Sequence, residues 1–128
     1  MPPSQPPPLL DRAHLDVQTF GDAALARELL GLFADQCGRL LPGVLDAARP
    51  SAERADLAHT LKGSGLGVGA ARVAALSARI EDALRARGTV SGALLEALAD
   101  AVAATLAEIA ASRRPVGAGG GPAGSLPP

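Results

Sequence analysis

Apolar residues recur at spacings of three and four along four segments of this chain, and this periodicity constrains the fold more than any other feature. Such spacing places the apolar side chains on one face of an α-helix. The stripes consist of Leu25, Leu29, Leu32, Phe33, Gln36 and Leu40; Leu57, Leu61, Ser64 and Val68; Val73, Leu76, Ile80 and Leu84; and Leu95, Leu98, Val102, Thr105 and Ile109. No segment is convincing as a strand. The sequence therefore predicts an all-α fold.

The ends of these helices are marked by residues that cap or interrupt helices. Side-chain oxygens that can accept from the free N–H groups of a helix start occur at Asp11, Asp22, Ser51 and Ser91. Asp11 predicts the start of a short helix that ends at about Phe20. Pro42 should kink or restart the second helix, because proline has no N–H and clashes with the preceding turn. The fourth helix should cover about residues 70–87. We predict an antiparallel four-helix bundle, with the short N-terminal helix closing one end.

Both ends of the chain are too rich in proline and glycine to bury a core. The sequence "PPSQPPP" occupies residues 2–8, and "RRPVGAGGGPAGSLPP" occupies residues 113–128. A chain of 128 residues suits one domain. We predict a disordered leader over residues 1–8, a helical bundle over residues 9–112 and a disordered tail over residues 113–128.

Composition excludes several classes of protein. Twelve basic and thirteen acidic residues leave a formal charge of −1, and two Phe without Trp or Tyr offer few platforms for stacking bases, so nucleic-acid binding is not expected. Cys37 is the only cysteine, which excludes an intramolecular disulfide, and its flanking sequence predicts a buried thiol. No apolar run approaches the roughly 20 residues that span a bilayer. We expect a cytoplasmic protein with no membrane contact, no metal site and no cofactor.

The segment "AHTLKGSGLGVGA", residues 58–70, combines a histidine, a lysine and four glycines. On a helical wheel its core side carries Leu57, Leu61, Ser64 and Val68. The opposite side carries Ala52, Ala55, His59, Lys62, Gly63 and Leu66. The solvent side of a helix normally carries many polar residues, so this side is predicted to dock against a partner.

His59 is the candidate nucleophile on this side. An exposed imidazole is substantially neutral near neutral pH and offers a lone pair. Lys62, at i+3, can place an ammonium beside phosphoryl oxygens, and Gly63, at i+4, leaves space for an incoming domain. His14, by contrast, has no such neighbours and is interpreted as an ordinary histidine, either on the helix surface or partly packed.

Two other interpretations of this segment stay open. His59 can be a surface histidine without a role. Alternatively, "GLGVGA" at residues 65–70 loosely matches a glycine-rich loop that wraps a nucleotide phosphate, although a helical sequence rather than a strand precedes it.

The segment resembles the signature of histidine-containing phosphotransfer (HPt) domains of two-component phosphorelays. The match consists of His59, Leu61, Lys62, Gly63 and Ser64, followed by Gly69 and Ala70. The similarity extends over about residues 9–112. The resemblance implies that His59 is the phosphorylated residue, that Lys62 stabilises the phosphoryl group and that Gly63 gives access.

The same resemblance implies the partners. They would be receiver domains of response regulators and a hybrid sensor histidine kinase, and the carrier itself would be a monomer without enzymatic activity. The receiver would supply Mg²⁺ and acidic residues and would dock on Ala52, Ala55, Gly63 and Leu66. The alternative is a helical adaptor that binds receivers or kinases without phosphorylation. Extra glycines at positions 65 and 67 depart from the family pattern and predict an irregular last turn, frayed after about Gly67.

Overall fold

The computed structural model describes residues 5–112, which form five α-helices and no strand. The helices are α1 (Arg12–Gln18), α2 (Ala23–Leu45), α3 (Ser51–Val68), α4 (Ala71–Arg87) and α5 (Gly92–Ser112). The four long helices form a closed arrangement in which α3 packs between α2 and α4, and α5 packs between α4 and α2. Short connections make successive helices antiparallel. The predicted all-α bundle is confirmed.

Helix α1 lies across one end of the bundle, as predicted. The backbone N–H of Asp11 donates to the carbonyl oxygen of Gly69 at 2.7 Å, at the end of α3. Arg12 pairs with Glu108 of α5 at 3.3 Å. The helix ends two residues before Phe20, earlier than expected, because Phe20 has a φ of 55° and belongs to the turn into α2.

Three of the four predicted N-caps are confirmed. The side-chain oxygens of Asp11, Asp22 and Ser91 each accept from the backbone N–H three residues later, at distances of 3.0, 3.0 and 3.1 Å. The prediction for Ser51 is wrong. Pro50 is the N-cap of α3 and makes no side-chain bond, and its extended backbone brings the chain into helical geometry at Ser51 itself.

Pro42 does not restart α2. The helix is continuous through Pro42 and ends three residues later at Leu45. Pro42 lies in the last turn of α2 with its side chain exposed. Its missing N–H removes one backbone hydrogen bond near the end of the helix, where the last carbonyl groups have no helical partner in any case.

The end of α3 is more regular than expected. The helix continues to Val68 and is closed by Gly69, which has a φ of 82°, a conformation that glycine adopts without steric cost. Gly65 is buried against α4: a Cβ there would lie 3.3 Å from the Cβ of Ala74 and 3.1 Å from the carbonyl oxygen of Ala70. The absence of a side chain at Gly65 therefore permits the close approach of α3 and α4.

The core is one cluster of apolar side chains from all five helices and the segment before α1. Its members with a relative exposure of 2% or less are Leu30, Phe33, Cys37, Val44, Ala55, Ala58, Leu61, Ala70, Val73, Ile80, Leu84, Leu98 and Ile109. The predicted burial of Cys37 is confirmed, and burial raises the pKa of its thiol to about 11. Among the described residues, no helix is long and apolar enough to cross a membrane.

The segment before α1 contacts the bundle. The carbonyl oxygen of Pro7 accepts from Nε of Arg72 at 2.8 Å, and that of Pro8 accepts from the backbone N–H of Arg72 at 3.0 Å. The described part of the predicted disordered leader, residues 5–8, thus lies against the start of α4. The predicted tail, residues 113–128, and residues 1–4 lie outside the described residues.

Two glycine substitutions in α3 test its packing on α4. Nothing lies within 4 Å of a Cβ at Gly67, so Gly67→Ala should raise the free energy of unfolding by about 0.5–1 kcal/mol through helix propensity. Gly65→Ala should instead lower it by about 1 kcal/mol, because the new methyl meets the backbone of α4. Urea unfolding of both variants measures the difference. Equal stabilisation by the two substitutions would contradict the close contact.

Candidate functional site

The outer side of α3 presents His59 to solvent. The His59 side chain is 60% exposed. Ala52, Gly63 and Leu66 are also exposed on α3, and a Cβ at Gly63 would have nothing within 4 Å. The imidazole therefore stands on an open part of the helix, with no side chain at i+4 to cover it.

Ala55 does not belong to this surface, and its predicted exposure is wrong. Its relative exposure is 0%, and it lies in the core. The helical wheel assumed that α3 buries one narrow stripe, whereas α3 packs between α2 and α4. The buried part of α3 is therefore wider than one stripe and includes Ala55.

Glu81 of α4 lies directly beneath His59. Its side chain is 10% exposed. Nδ1 of His59 is 3.1 Å from Oε1 and 3.0 Å from Oε2 of this carboxylate. The histidine side chain is thereby held against α4 while the rest of its ring faces solvent.

This contact assigns the two ring nitrogens of His59. An ionised carboxylate can only accept hydrogen bonds, so Nδ1 carries the proton and donates it to Glu81. In the neutral imidazole the other nitrogen, Nε2, then has a free lone pair.

Two cations share the Glu81 carboxylate with His59. Nζ of Lys62 lies 3.2 Å from Oε1, and Nε of Arg85 donates to Oε2 at 2.9 Å. Arg85 also donates from its NH2 group to Oδ1 of Asp56 at 3.0 Å, which links α4 back to α3 one turn before His59. Lys62 is thus drawn toward α4, and its side chain is 30% exposed.

The carboxyl group of Glu81 has a lowered pKa. Burial by itself raises the pKa, but hydrogen bonds from Arg85, His59 and Lys62 outweigh burial and lower it from 4.5 to about 2. Glu81 is therefore ionised throughout the physiological pH range, as the assignment of the His59 protons requires.

Glu81 is the residue of the candidate site that the sequence did not reveal, although two signals pointed to it. It lies on the buried side of α4 beside Ser77, Ile80 and Leu84, where an acidic residue is unusual. In addition, α3 and α4 form a helical hairpin around Gly69, and His59 and Glu81 are at nearly equal distances in sequence from that turn. Antiparallel helices bring such positions level with each other.

The structure also bears on the glycine-loop interpretation and on His14. Gly65 and Gly67 lie within α3, so no glycine loop exists there to wrap a nucleotide phosphate. His14 is half-buried, and its Nε2 lies 3.0 Å from the carbonyl oxygen of Leu66. The same nitrogen lies 3.3 Å from the side-chain amide of Gln18, so protein groups occupy it on two sides. His14 is thus a partly packed histidine, as predicted.

Residues 5–112 contain no cluster of three His, Cys, Asp or Glu side chains arranged to hold a metal ion. The family model described as Hpt domain matches residues 28–110, which is more than half of the chain. No curated protein and no solved structure was found to match the chain.

The low pKa of Glu81 predicts a pH-dependent contribution to stability. The group is more acidic in the folded chain than in the unfolded chain, so its contribution is fully present above pH 4.5 and is lost as the pH falls to about 2. The difference in free energy of unfolding between wild type and Glu81→Gln should therefore shrink over this range. Urea unfolding as a function of pH measures the difference.

The matched control is Asp82→Asn, which removes an exposed carboxylate at the next position of α4. It should change the free energy of unfolding by less than about 0.5 kcal/mol at pH 7. A wild-type advantage over Glu81→Gln that stays constant between pH 4.5 and 2 would contradict the lowered pKa.

Proposed function

This chain belongs to the Hpt domain family, whose members are phosphocarriers in phosphorelay signalling rather than enzymes, and on this premise we propose that His59 carries the phosphoryl group. An aspartyl phosphate on one receiver domain donates the group, and a second receiver domain accepts it. The observation that carries the proposal is the exposed imidazole whose Nδ1–H donates to Glu81, with Nε2 free to attack.

The transfer step requires little from the carrier. The lone pair of Nε2 attacks the phosphorus, a P–N bond forms, and the P–O bond to the receiver aspartate breaks, which leaves that aspartate as a carboxylate. No proton has to leave His59, because Nδ1 keeps its hydrogen and the ring becomes a cation. The ionised carboxylate of Glu81, 3.0 Å from Nδ1, stabilises this positive charge.

Lys62 supplies positive charge for the phosphoryl oxygens. Its ammonium has three donors and uses one on Glu81 at 3.2 Å. A phosphoryl group on Nε2 brings two negative charges to the same turn of α3, and Lys62 can donate to it without a change of helix geometry. Arg85 and Asp56 keep Glu81 in place during this change.

The receiver supplies the remaining chemistry in this proposal. Its Mg²⁺ and acidic residues hold the phosphoryl group in line with Nε2. Gly63 leaves the approach to Nε2 open, and the receiver covers the exposed side of α3 that includes Ala52 and Leu66. The protein acts as a monomeric cytoplasmic carrier, and a hybrid sensor histidine kinase is the source of the phosphoryl group.

A transfer assay can identify the phosphorylated residue. Each receiver domain of the source organism is phosphorylated by acetyl phosphate and then mixed with the carrier. Wild type should gain a phosphoryl group that is labile in acid and stable in base, and His59→Gln should abolish it. His14→Gln, the matched control at the other histidine, should retain transfer within about twofold. Label on the His59→Gln variant would refute the assignment. Receiver binding and intact signalling by His59→Ala would instead favour the adaptor.

The role of Glu81 is tested by Glu81→Ala. Loss of the group that orients an imidazole costs about 10–100-fold, so transfer from a phosphorylated receiver at saturating concentration should slow by at least tenfold. Nitrogen-15 NMR of His59 should show protonated Nδ1 in wild type and a mixture of tautomers in the variant. Unchanged tautomer populations together with an unchanged rate would exclude this role.

A further inference from the structure

The carboxylate of Glu81 carries one negative charge and faces two cations. Nζ of Lys62 lies 3.2 Å from its Oε1, and Nε of Arg85 donates to its Oε2 at 2.9 Å. Nδ1 of His59 contacts both oxygens, at 3.1 and 3.0 Å. Lys62 and Arg85 therefore share the same charge, and each weakens the attraction of Glu81 for the other.

The two cations are held differently. Arg85 donates through Nε to Glu81 and through its NH2 group to Oδ1 of Asp56 at 3.0 Å, so its planar guanidinium bridges α4 and α3. Among the described residues, Lys62 pairs with the carboxylate of Glu81 only. Its ammonium is a point charge on a flexible chain of four carbons. Lys62 is therefore the cation that can leave Glu81, and Arg85 is the cation that stays.

Arg85 and Lys62 approach Glu81 from opposite ends of the site. Asp56, which accepts from Arg85, precedes His59 by three residues in α3, and Lys62 follows His59 by three. Their backbones thus lie about 4.5 Å to either side of His59 along the helix axis. The bond to Asp56 keeps the guanidinium on one side of the imidazole and leaves the other side to the Lys62 ammonium.

A phosphoryl group on Nε2 of His59 competes with Glu81 for Lys62. It carries about two negative charges, whereas Glu81 carries one. The side chain of Glu81 is only 10% exposed, and a buried charge without a partner is costly. With Arg85 on Oε2, Lys62 can turn toward the phosphoryl group while Glu81 keeps a cation. Without Arg85, Glu81 would retain Lys62.

We propose that Arg85 is a positioning residue that sets the equilibrium of phosphoryl transfer by releasing Lys62 from Glu81 to the phosphoryl group. At equilibrium, the P–O bond to the receiver aspartate is exchanged for the P–N bond to His59, and the aspartate leaves as a carboxylate, so no proton or other reactant is consumed. The inference rests on the proposed function and extends it, because Arg85 touches neither the phosphoryl group nor the receiver.

The test measures the ratio of phosphorylated carrier to phosphorylated receiver at equilibrium, with the receiver domain that transfers fastest. Arg85→Met keeps the length of the side chain and removes every donor. It should lower this ratio by about five- to tenfold, because Glu81 then retains Lys62. Lys62→Met should lower the ratio by at least as much. An unchanged ratio in Arg85→Met would overturn the inference.

The double variant separates this role from a direct effect of the arginine charge. In the Lys62→Met background there is no ammonium to release, so the addition of Arg85→Met should change the ratio by less than about twofold. A direct attraction between Arg85 and the phosphoryl group would instead lower the ratio by the same factor in both backgrounds. That result would also overturn the inference.

Two further variants control for charge and for folding. Arg85→Lys restores a cation four residues after Glu81 and should recover the ratio to within about twofold of wild type. Arg87→Met removes an exposed arginine two residues further along α4 and should leave the ratio within about twofold. Circular dichroism and the melting temperature check that each variant is folded.

The outcomes distinguish this inference from the proposed function. A ratio as low in Arg85→Lys as in Arg85→Met, or an equal fall in Arg87→Met, would overturn the inference while transfer by wild type leaves the proposed function intact. No transfer between wild type and any receiver would overturn both.

Discussion

The close packing of α3 on α4 is the constraint on which the candidate site depends. Gly65 lets the two backbones approach, with Ala74 opposite it, and Gly69 turns the chain so that the helices run antiparallel. This register places Glu81 beneath His59 and Arg85 beside Asp56. A shift of one residue along α3 would rotate His59 by about 100°, and one along α4 would rotate Glu81 by the same angle; either would separate the carboxylate from the imidazole.

This packing places the Glu81 carboxylate where it holds the polar side chains of the candidate site together. A buried carboxylate is costly unless donors surround it, and here three side chains donate to it. Their combined effect keeps it ionised, and its negative charge then holds the proton of His59 on Nδ1 and restrains Lys62. One buried charge thus orients the imidazole of His59, keeps its proton on Nδ1 and holds the ammonium of Lys62 near the same turn.

The helical wheel predicts most, but not all, of the division between buried and exposed residues on α3. The wheel placed His59 and Leu66 outside and Leu61 inside, and the structure agrees. It failed at Ala55, because a helix with packed neighbours on two sides buries more than one stripe. The corresponding pattern on α2 failed at Leu32, which belongs to the predicted stripe and is 57% exposed.

The sequence by itself determined the helices, most of their caps and the identity of the exposed histidine, because spacing, capping and residue chemistry act within a few residues of each other. The tertiary structure decided which atoms meet. Glu81 is 22 residues from His59, so no local pattern specifies the distance between the two side chains. That distance follows from how closely α3 packs on its neighbouring helices. The small side chains along the contact determine this closeness, and they do so only when the helices are assembled.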